Sequence, residues 1–257
     1  MIGILDSGNG GLSVLNEVCK LLPQESILYV GDTAWCPYGE KSYAQILERV
    51  DKLIHFLIRQ GATLIVIACN SATIACITQL RERFTIPIVG MEPGIKPAVQ
   101  QSQTKRIGIF ATKASLTGEK FHKLISTHAS KATVYTQACP KFVTLVEQGI
   151  LSGSETHEAI HLYAKPMIEN KVDTIVLGCS HYPFLKGEIH RLYPHITLID
   201  TGEAIAKQVK RLYAPSLSPQ EQKKISFFTS GNPINKPNLL RTLCPQISSP
   251  HIEHISI

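Results

Sequence analysis

The sequence predicts an α/β protein made of two pseudo-symmetric domains with mainly parallel sheets and the active site in the cleft between them. Three observations carry that reading. Short apolar runs alternate with amphipathic stretches of helical period, the pattern of parallel strands joined by crossover helices. The pattern then restarts. Arg106-Ile107-Gly108-Ile109-Phe110 echoes Met1-Ile2-Gly3-Ile4-Leu5, and Asp173-Thr174-Ile175-Val176-Leu177-Gly178-Cys179-Ser180 echoes the run from Ala62 to Asn70. The offsets are 105 and 110 residues, nearly one shift for both strands, as a duplicated unit requires. Finally, a cysteine closes each of the later runs, Cys69 in the first half and Cys179 in the second.

In chain order, Ile2–Leu5 is a strand ended by Asp6-Ser7-Gly8-Asn9-Gly10-Gly11, after which Leu12, Val14, Leu15 and Val18 begin a helix. Ile27–Val30 is a second strand, stopped by Gly31-Asp32. Ser42 caps an amphipathic helix whose Ile46, Leu47, Val50, Leu53, Ile54, Leu57 and Ile58 share one face, and Gly61 ends it. Thr63–Cys69 is apolar throughout, as a strand covered on both faces is. A helix over Ser71–Phe84 and a strand over Ile86–Val89 follow. Glu92-Pro93-Gly94-Ile95-Lys96-Pro97 is the crossover into the second half, and a second break lies near Tyr213–Pro219. The stretch carrying Pro233, Pro237, Pro245 and Pro250 reads as a loosely structured end. Periodicity does not decide whether Ile225–Thr229 returns to the first sheet. Since Cys69 and Cys179 lie in different repeats, closure is expected about Glu92–Pro97 and Ile199–Gly202.

Composition narrows the function classes. The 257 residues are 44% hydrophobic and 18% charged, which excludes disorder over most of the chain. No apolar run approaches the roughly 18 residues of a membrane span, so no membrane partner is expected. The opening MIGILDSG has no basic flank, long apolar stretch or cleavage site and points to the cytoplasm. Seven cysteines with no C-x-x-C pair argue against a disulfide framework or a zinc ribbon, and no metal site is expected. A net charge of +6 permits an anionic small-molecule substrate. The seven basic residues between Thr104 and Lys141, with Glu119 the one acidic residue, read as a solvated face. The solvated face is the better reading of this stretch, so no nucleic-acid partner is expected. A homodimer is permitted but not specified.

In open parallel sheets ligands bind beyond the carboxyl ends of the strands. Asp6-Ser7, Asp32-Thr33, Cys69-Asn70-Ser71, Cys179-Ser180-His181 and Asp200-Thr201 fall there. A cysteine between strand end and helix start faces unpaired N–H groups, which favour its thiolate. For Cys19, Cys76, Cys139 and Cys244 the small buried hydrophobe is the better reading, and Cys36 has no assignment. Matched positions and polar neighbours make Cys69 and Cys179 functional, and His181, two residues on, becomes a proton partner. The DSGNGG glycines lack a phosphate-loop spacing; they are expected to let backbone N–H groups approach a small carboxylate. Two thiols across one pocket suit a cofactor-free inversion at carbon, which needs a base on one face and an acid on the other. A cysteine hydrolase would leave the second thiol unexplained. A protein that only closes on an amino acid would need neither.

The same residues resemble a known family. Ile4-Leu5-Asp6-Ser7-Gly8-Asn9-Gly10-Gly11-Leu12, Gly31-Asp32-Thr33-Ala34-Trp35-Cys36-Pro37-Tyr38-Gly39, Ala68-Cys69-Asn70-Ser71-Ala72 and Gly178-Cys179-Ser180-His181-Tyr182-Pro183 look like the signature stretches of bacterial glutamate racemase. Cys139-Pro140-Lys141-Phe142-Val143, Glu147-Gln148-Gly149 and Phe228-Thr229-Ser230-Gly231 match as well, and the resemblance runs to about Pro233. It implies a two-domain racemase fold with a discontinuous first domain, 1–95 plus 205–257, around a second of 96–204. It also implies a cofactor-independent cytoplasmic enzyme that interconverts L- and D-glutamate and supplies D-glutamate for peptidoglycan. An aspartate racemase is the near neighbour; the DSGNGG and CPYG stretches favour glutamate. By this resemblance Cys69 and Cys179 fall on the proton-transferring thiols, and Asp6, Glu147 and His181 on assisting groups. Asp6, Ser7, Tyr38, Gly39, Asn70, Ser71, Ser180 and His181 fall on substrate-binding positions. Ser71 and Ser180 stand where the family usually has Thr, with the hydroxyl kept. Asn9 and Trp35 also depart from its common residues.

Overall fold

Ten strands divide between two sheets in the computed structural model, which describes residues 1–214, 224–232, 236–247 and 251–257. The strands are β1 (Ile2–Asp6), β2 (Ile27–Gly31), β3 (Leu64–Ile67), β4 (Ile88–Gly90), β5 (Arg106–Ala111), β6 (Thr133–Ala138), β7 (Thr174–Gly178), β8 (Thr197–Ile199), β9 (Ile225–Thr229) and β10 (Ile252–His254). The first sheet runs β10-β9-β2-β1-β3-β4 and the second β6-β5-β7-β8. All pairings are parallel. Helices cover both faces, so β1, β2, β3 and β7 are buried along their whole length, as their unbroken apolar runs require.

The duplication holds at the level of register. The order β2-β1-β3-β4 recurs as β6-β5-β7-β8. Shifting the pair Ile2↔Leu64 by 105 and 110 residues gives Ile107↔Thr174, which is an observed β5–β7 pair. Both sheets therefore present equivalent strand ends to the crevice where parallel sheets bind ligands.

Local chemistry accounts for the helix limits. Ser42 accepts from the Gln45 amide while the Gln45 side chain accepts from the Ser42 amide, a capping box that begins Tyr43–Arg59. Such a cap contributes about 1 kcal/mol. Gly61 takes the left-handed conformation (φ 94°) that lets the chain turn into β3. The strand expected over Ile86–Val89 is shifted to Ile88–Gly90, since Pro87 removes a ladder donor at its start. Cys19, Cys76, Cys139 and Cys244 are buried as expected.

The expectation of a loose C-terminal end is corrected. Lys236–Leu243 is a helix, and β10 adds to β9 through Ile252↔Phe227 and His254↔Thr229. Leu240, Leu243 and Cys244 are buried in the core, and Asn16 Nδ2 donates to the Leu243 carbonyl at 2.8 Å. Pro237 falls in the first helical turn, where a missing N–H costs nothing, and Pro245 follows the helix end. Pro233, Pro250 and most of the break expected at Tyr213–Pro219 lie outside the described residues. The open question of Ile225–Thr229 is answered by its pairing with β2.

The two segments expected to act as hinges pack side by side. A Cβ on Gly94 would lie 2.8 Å from Ile199 Cγ2 and 3.2 Å from Thr201 Cγ2, so only glycine allows this approach. Among the described residues no helix is long and apolar enough to cross a membrane. Lys105, Arg106, Lys113, Lys123 and Lys131 are exposed, in keeping with a solvated basic face.

Candidate active site

Cys69 closes β3 and stands immediately before the Asn70–Arg83 helix; Cys179 follows β7. Both thiols are buried, at 4% and 6% exposure. The Cys69 thiol donates to Ser7 Oγ at 3.8 Å, and the Ala72 amide of the helix start faces its sulfur. Burial, and then the negative charge of Asp6, push the Cys69 thiol well above its ordinary pKa, so at neutral pH it holds its proton. The helix amide opposes this but does not overcome it.

The surroundings of Cys179 are of another kind. Its Sγ lies 3.7 Å from His181 Nδ1, and His181 Nε2 meets Glu147 Oε1 at 2.8 Å. Glu147 sits near the end of the Pro140–Gln148 helix, which Gly149 closes in a left-handed turn. Asn9 anchors the carboxylate from across the cleft, its backbone N–H and Nδ2 each donating at 2.6 Å. Burial works against a charge on His181. Hydrogen bonds with the Cys179 and Cys36 thiols and with Glu147 outweigh it and hold the imidazole pKa well above its usual value.

Asp6 lies between the two thiols' neighbours. Its Oδ2 accepts from the Gly8 amide at 3.0 Å and its Oδ1 from Ser180 Oγ at 3.1 Å. Complete burial raises its pKa, against the pull of His181 and of the Gly8 and Gly11 amides. The role expected for the DSGNGG glycines is thereby altered. The Gly8 and Asn9 amides are taken by the protein's own carboxylates, Asp6 and Glu147, because the glycines let this loop press onto the second half. A Cβ on Gly10 would lie 2.6 Å from Ser180 Oγ and overlap the His181 ring, and one on Gly8 would overlap Glu147.

The other expected residues divide in two. Ser71 Oγ shares a hydroxyl chain with Thr112 (2.8 Å) and Ser115 (3.4 Å) of the second half. Among the described residues, Asn70 Oδ1 is buried without a hydrogen-bond partner, while its Nδ2 donates to the Met91 carbonyl at 3.5 Å. Gly39 is pressed against Thr112, 2.8 Å from where its Cβ would be. Tyr38, by contrast, is buried with its hydroxyl donating to Asp32 Oδ2 at 2.6 Å, so that hydroxyl serves Asp32. Asp32 is also gripped by Arg49, Nε at 3.0 Å and NH2 at 2.6 Å, and by Ser230 Oγ at 2.6 Å. This network fixes the Thr33–Gly39 loop to the returning strand β9.

Four site neighbours escaped the reading from sequence: Asn9, Thr112, Ser115 and Cys36. A signal for Thr112 existed, since the 105-residue offset carries Ser7 onto it. A cleft of about 570 Å³ opens beside the cluster, lined by Cys36, Gly39, Thr112, Pro140, Val143 and Glu147 among others. Neither Cys69 nor Cys179 lines it.

Comparison with known proteins agrees with this architecture. The family model for Asp/Glu/Hydantoin racemases matches residues 3–209. Glutamate racemase of Herpetosiphon aurantiacus is 46% identical over 236 residues, covering 90% of this chain and 93% of its own. That of Pseudomonas aeruginosa is 42% identical over 246 residues, covering 94% and 93%. Among solved structures, Escherichia coli glutamate racemase in complex with L-glutamate and the activator UDP-MurNAc-Ala superposes with a TM-score of 0.88 at 30% identity, covering 99% of this chain and 97% of that one. The Francisella tularensis glutamate racemase with D-glutamate gives 0.84 at 27% identity, again covering 99% and 97%. Sequence, sheet topology and the paired strand-end thiols lead to one conclusion: the chain belongs to the aspartate/glutamate/hydantoin racemase family.

Proposed function

We propose that the protein interconverts L- and D-glutamate without a cofactor, passing protons between Cα and the thiols of Cys69 and Cys179. The observation that carries this reading is the pair of buried thiols at equivalent strand ends, one protonated by its surroundings and the other set against an imidazole–carboxylate pair. With L-glutamate, the Cys179 thiolate removes the α-proton while the Cys69 thiol gives its own to the opposite face. The product is D-glutamate, with Cys179 now protonated and Cys69 a thiolate; D-glutamate runs the same steps backwards. His181 balances the charge of Cys179, and Asp6 serves the Cys69 side. The α-proton is very weakly acidic, so donors to the α-carboxylate must stabilise the carbanion-like state. Ser7, Ser71 and the backbone at Gly39 are suited to that, being neutral. The unpartnered Asn70 Oδ1 is an acceptor for the α-ammonium group.

Glutamate is the favoured substrate, as in the named relatives, with the cleft recognising both carboxylates. The first domain is assigned residues 1–95 plus 205–257 and the second 96–204, with closure about Glu92–Pro97 and Ile199–Gly202. Supply of D-glutamate to peptidoglycan in the cytoplasm is the fitting physiological role. Incubating purified protein with L-glutamate or L-aspartate and following the loss of circular dichroism tests the assignment. D-Glutamate should accumulate to an equal mixture, and aspartate should turn over far more slowly. Comparable rates on both, or no D-glutamate, would contradict it.

A further inference from the structure

One thiol of the site carries none of the proton transfers just described. Cys36 lies on the loop after β2, half-buried, and its sulfur faces Glu147 and His181. One ligand atom from each of the three residues lies within 4.8 Å of the others. In tetrahedral zinc sites, Zn–S bonds of about 2.3 Å and Zn–N or Zn–O bonds of about 2.0–2.2 Å leave neighbouring ligand atoms roughly 3.3–3.8 Å apart. The cluster therefore closes on an ion by side-chain shifts of about 1 Å.

The surroundings are arranged as a metal site needs. His181 Nε2 faces Glu147, which leaves Nδ1 to its contacts with Ser180 Oγ at 3.4 Å and Cys179 Sγ at 3.7 Å. A ligating histidine is held in just this way, through its second nitrogen. Asn9 orients both carboxylate oxygens of Glu147, its Nδ2 donating to Oε2 and its backbone N–H to Oε1, each at 2.6 Å, and Oε1, the oxygen that meets His181, is the one facing the ion. The adjoining cleft of about 570 Å³ supplies an entry path and an open fourth position. A thiolate, an imidazole and a carboxylate together select a zinc-like ion over magnesium or calcium, which prefer oxygen ligands.

We propose that Cys36, Glu147 and His181 form a site for a soft divalent cation of the zinc type, and that its occupancy arrests the enzyme by engaging His181. The ion displaces the Cys36 thiol proton and any proton on Nε2 to solvent, and takes the place of the His181–Glu147 hydrogen bond. It is an inhibitory site and not a cofactor site. The arrest rests on the role given to His181 under Proposed function, whereas the binding does not.

Cobalt(II) as a spectroscopic probe separates the two. Titrated into wild-type protein, it should give a thiolate-to-cobalt charge-transfer band that saturates at one equivalent and is abolished by competing zinc. Cys179→Ala should keep the band. Cys36→Ala and the near-isosteric Cys36→Ser should lose it, with affinity falling by more than the ~10- to 100-fold that loss of an outer-shell partner costs. Zinc should inhibit wild-type racemisation reversibly, a chelator restoring it, while the Cys36 variants racemise in its presence. Magnesium should have no effect. No band in the wild type, or a band that survives Cys36→Ser and vanishes in Cys179→Ala, would overturn the site. Stoichiometric binding with unchanged racemisation would overturn the arrest. An intact band in a protein that never racemises glutamate would leave the site standing and sink the functional reading instead.

Discussion

Cys69 and Cys179 stand at the ends of β3 and β7, the third strands of two sheets with one topology, yet their neighbours differ in kind. Around Cys69 the contacts are a serine hydroxyl and a helix amide, and burial keeps the thiol protonated. Around Cys179 they are an imidazole and, behind it, a carboxylate held by two donors from Asn9. The ion pairs divide the same way. In the first half Asp32 and Arg49 are locked together, with Tyr38 and Ser230, far inside the fold. In the second, His181–Glu147 lies against the Cys179 sulfur. The two halves place a thiol at the same backbone position, while the side chains around it differ, as the proposed division into an acid side and a base side requires. A racemase acting on one face at a time needs that asymmetry, because one thiol must be protonated when the other is not.

The comparison breaks most sharply if either thiol is removed. Cys69→Ala and Cys179→Ala should each lower turnover of both enantiomers by at least the ~10²–10⁴-fold that a positioned acid or base contributes, with far-ultraviolet circular dichroism unchanged. Next in size is the structural ion pair. Arg49→Met leaves the Asp32 carboxylate buried and unpaired, and urea unfolding should register a loss of about 3–5 kcal/mol. That loss should belong to stability, not to the pH profile.

The reverse should hold for Glu147→Gln. It removes a contact that raises the His181 pKa, so the imidazolium is lost at lower pH. The basic limb of the L-glutamate profile, measured with chelator present, should move to lower pH by about one unit, equivalent to ~1.4 kcal/mol. A limb that stays put would detach His181 from the Cys179 side.

The smallest effect lies at the crossover. Asp173 accepts from Ser102 Oγ at 2.6 Å and from the Gln103 and Thr104 amides at 2.7 and 2.8 Å. Its partial burial raises its pKa, but these donors outweigh that and leave it below the ordinary 3.8. A lowered carboxylate pKa adds stability above the unfolded value, lost as pH falls through the folded one. Asp173→Asn should therefore cost about 1 kcal/mol or less at neutral pH, after solvent screening, and nothing in strong acid. Unfolding curves at both pH values check this.

How far the sequence could be read follows from the same contrast. The strands that carry the two cysteines were legible because fully buried parallel strands leave unbroken apolar runs, as in Leu64–Ile67 and Thr174–Gly178. The two thiols were legible through the offset that superposes them. Tertiary partners were not. The Tyr38 hydroxyl donates to Asp32, and no local pattern encodes that pairing. Asn9 and Cys36 meet Glu147 and His181 only because glycines let two distant loops touch. The tail misled because proline content was read as loose structure, whereas Pro237 occupies the first turn of a helix and Pro245 follows its end.

The central claim, two thiols on opposite faces of Cα, is tested most directly by deuterium incorporation. L-Glutamate is incubated in D₂O with the wild-type protein, and early samples are resolved into enantiomers and analysed by mass. The D-glutamate formed should carry solvent deuterium at Cα, while the remaining L-glutamate stays largely protiated, because the returning proton comes from Cys69 and not from the thiol that removed the first one. D-Glutamate as substrate should give the mirror result. Early labelling of substrate and product at equal rates would mean that a single base exchanges its proton with solvent and returns it to either face, and would contradict the two-thiol account.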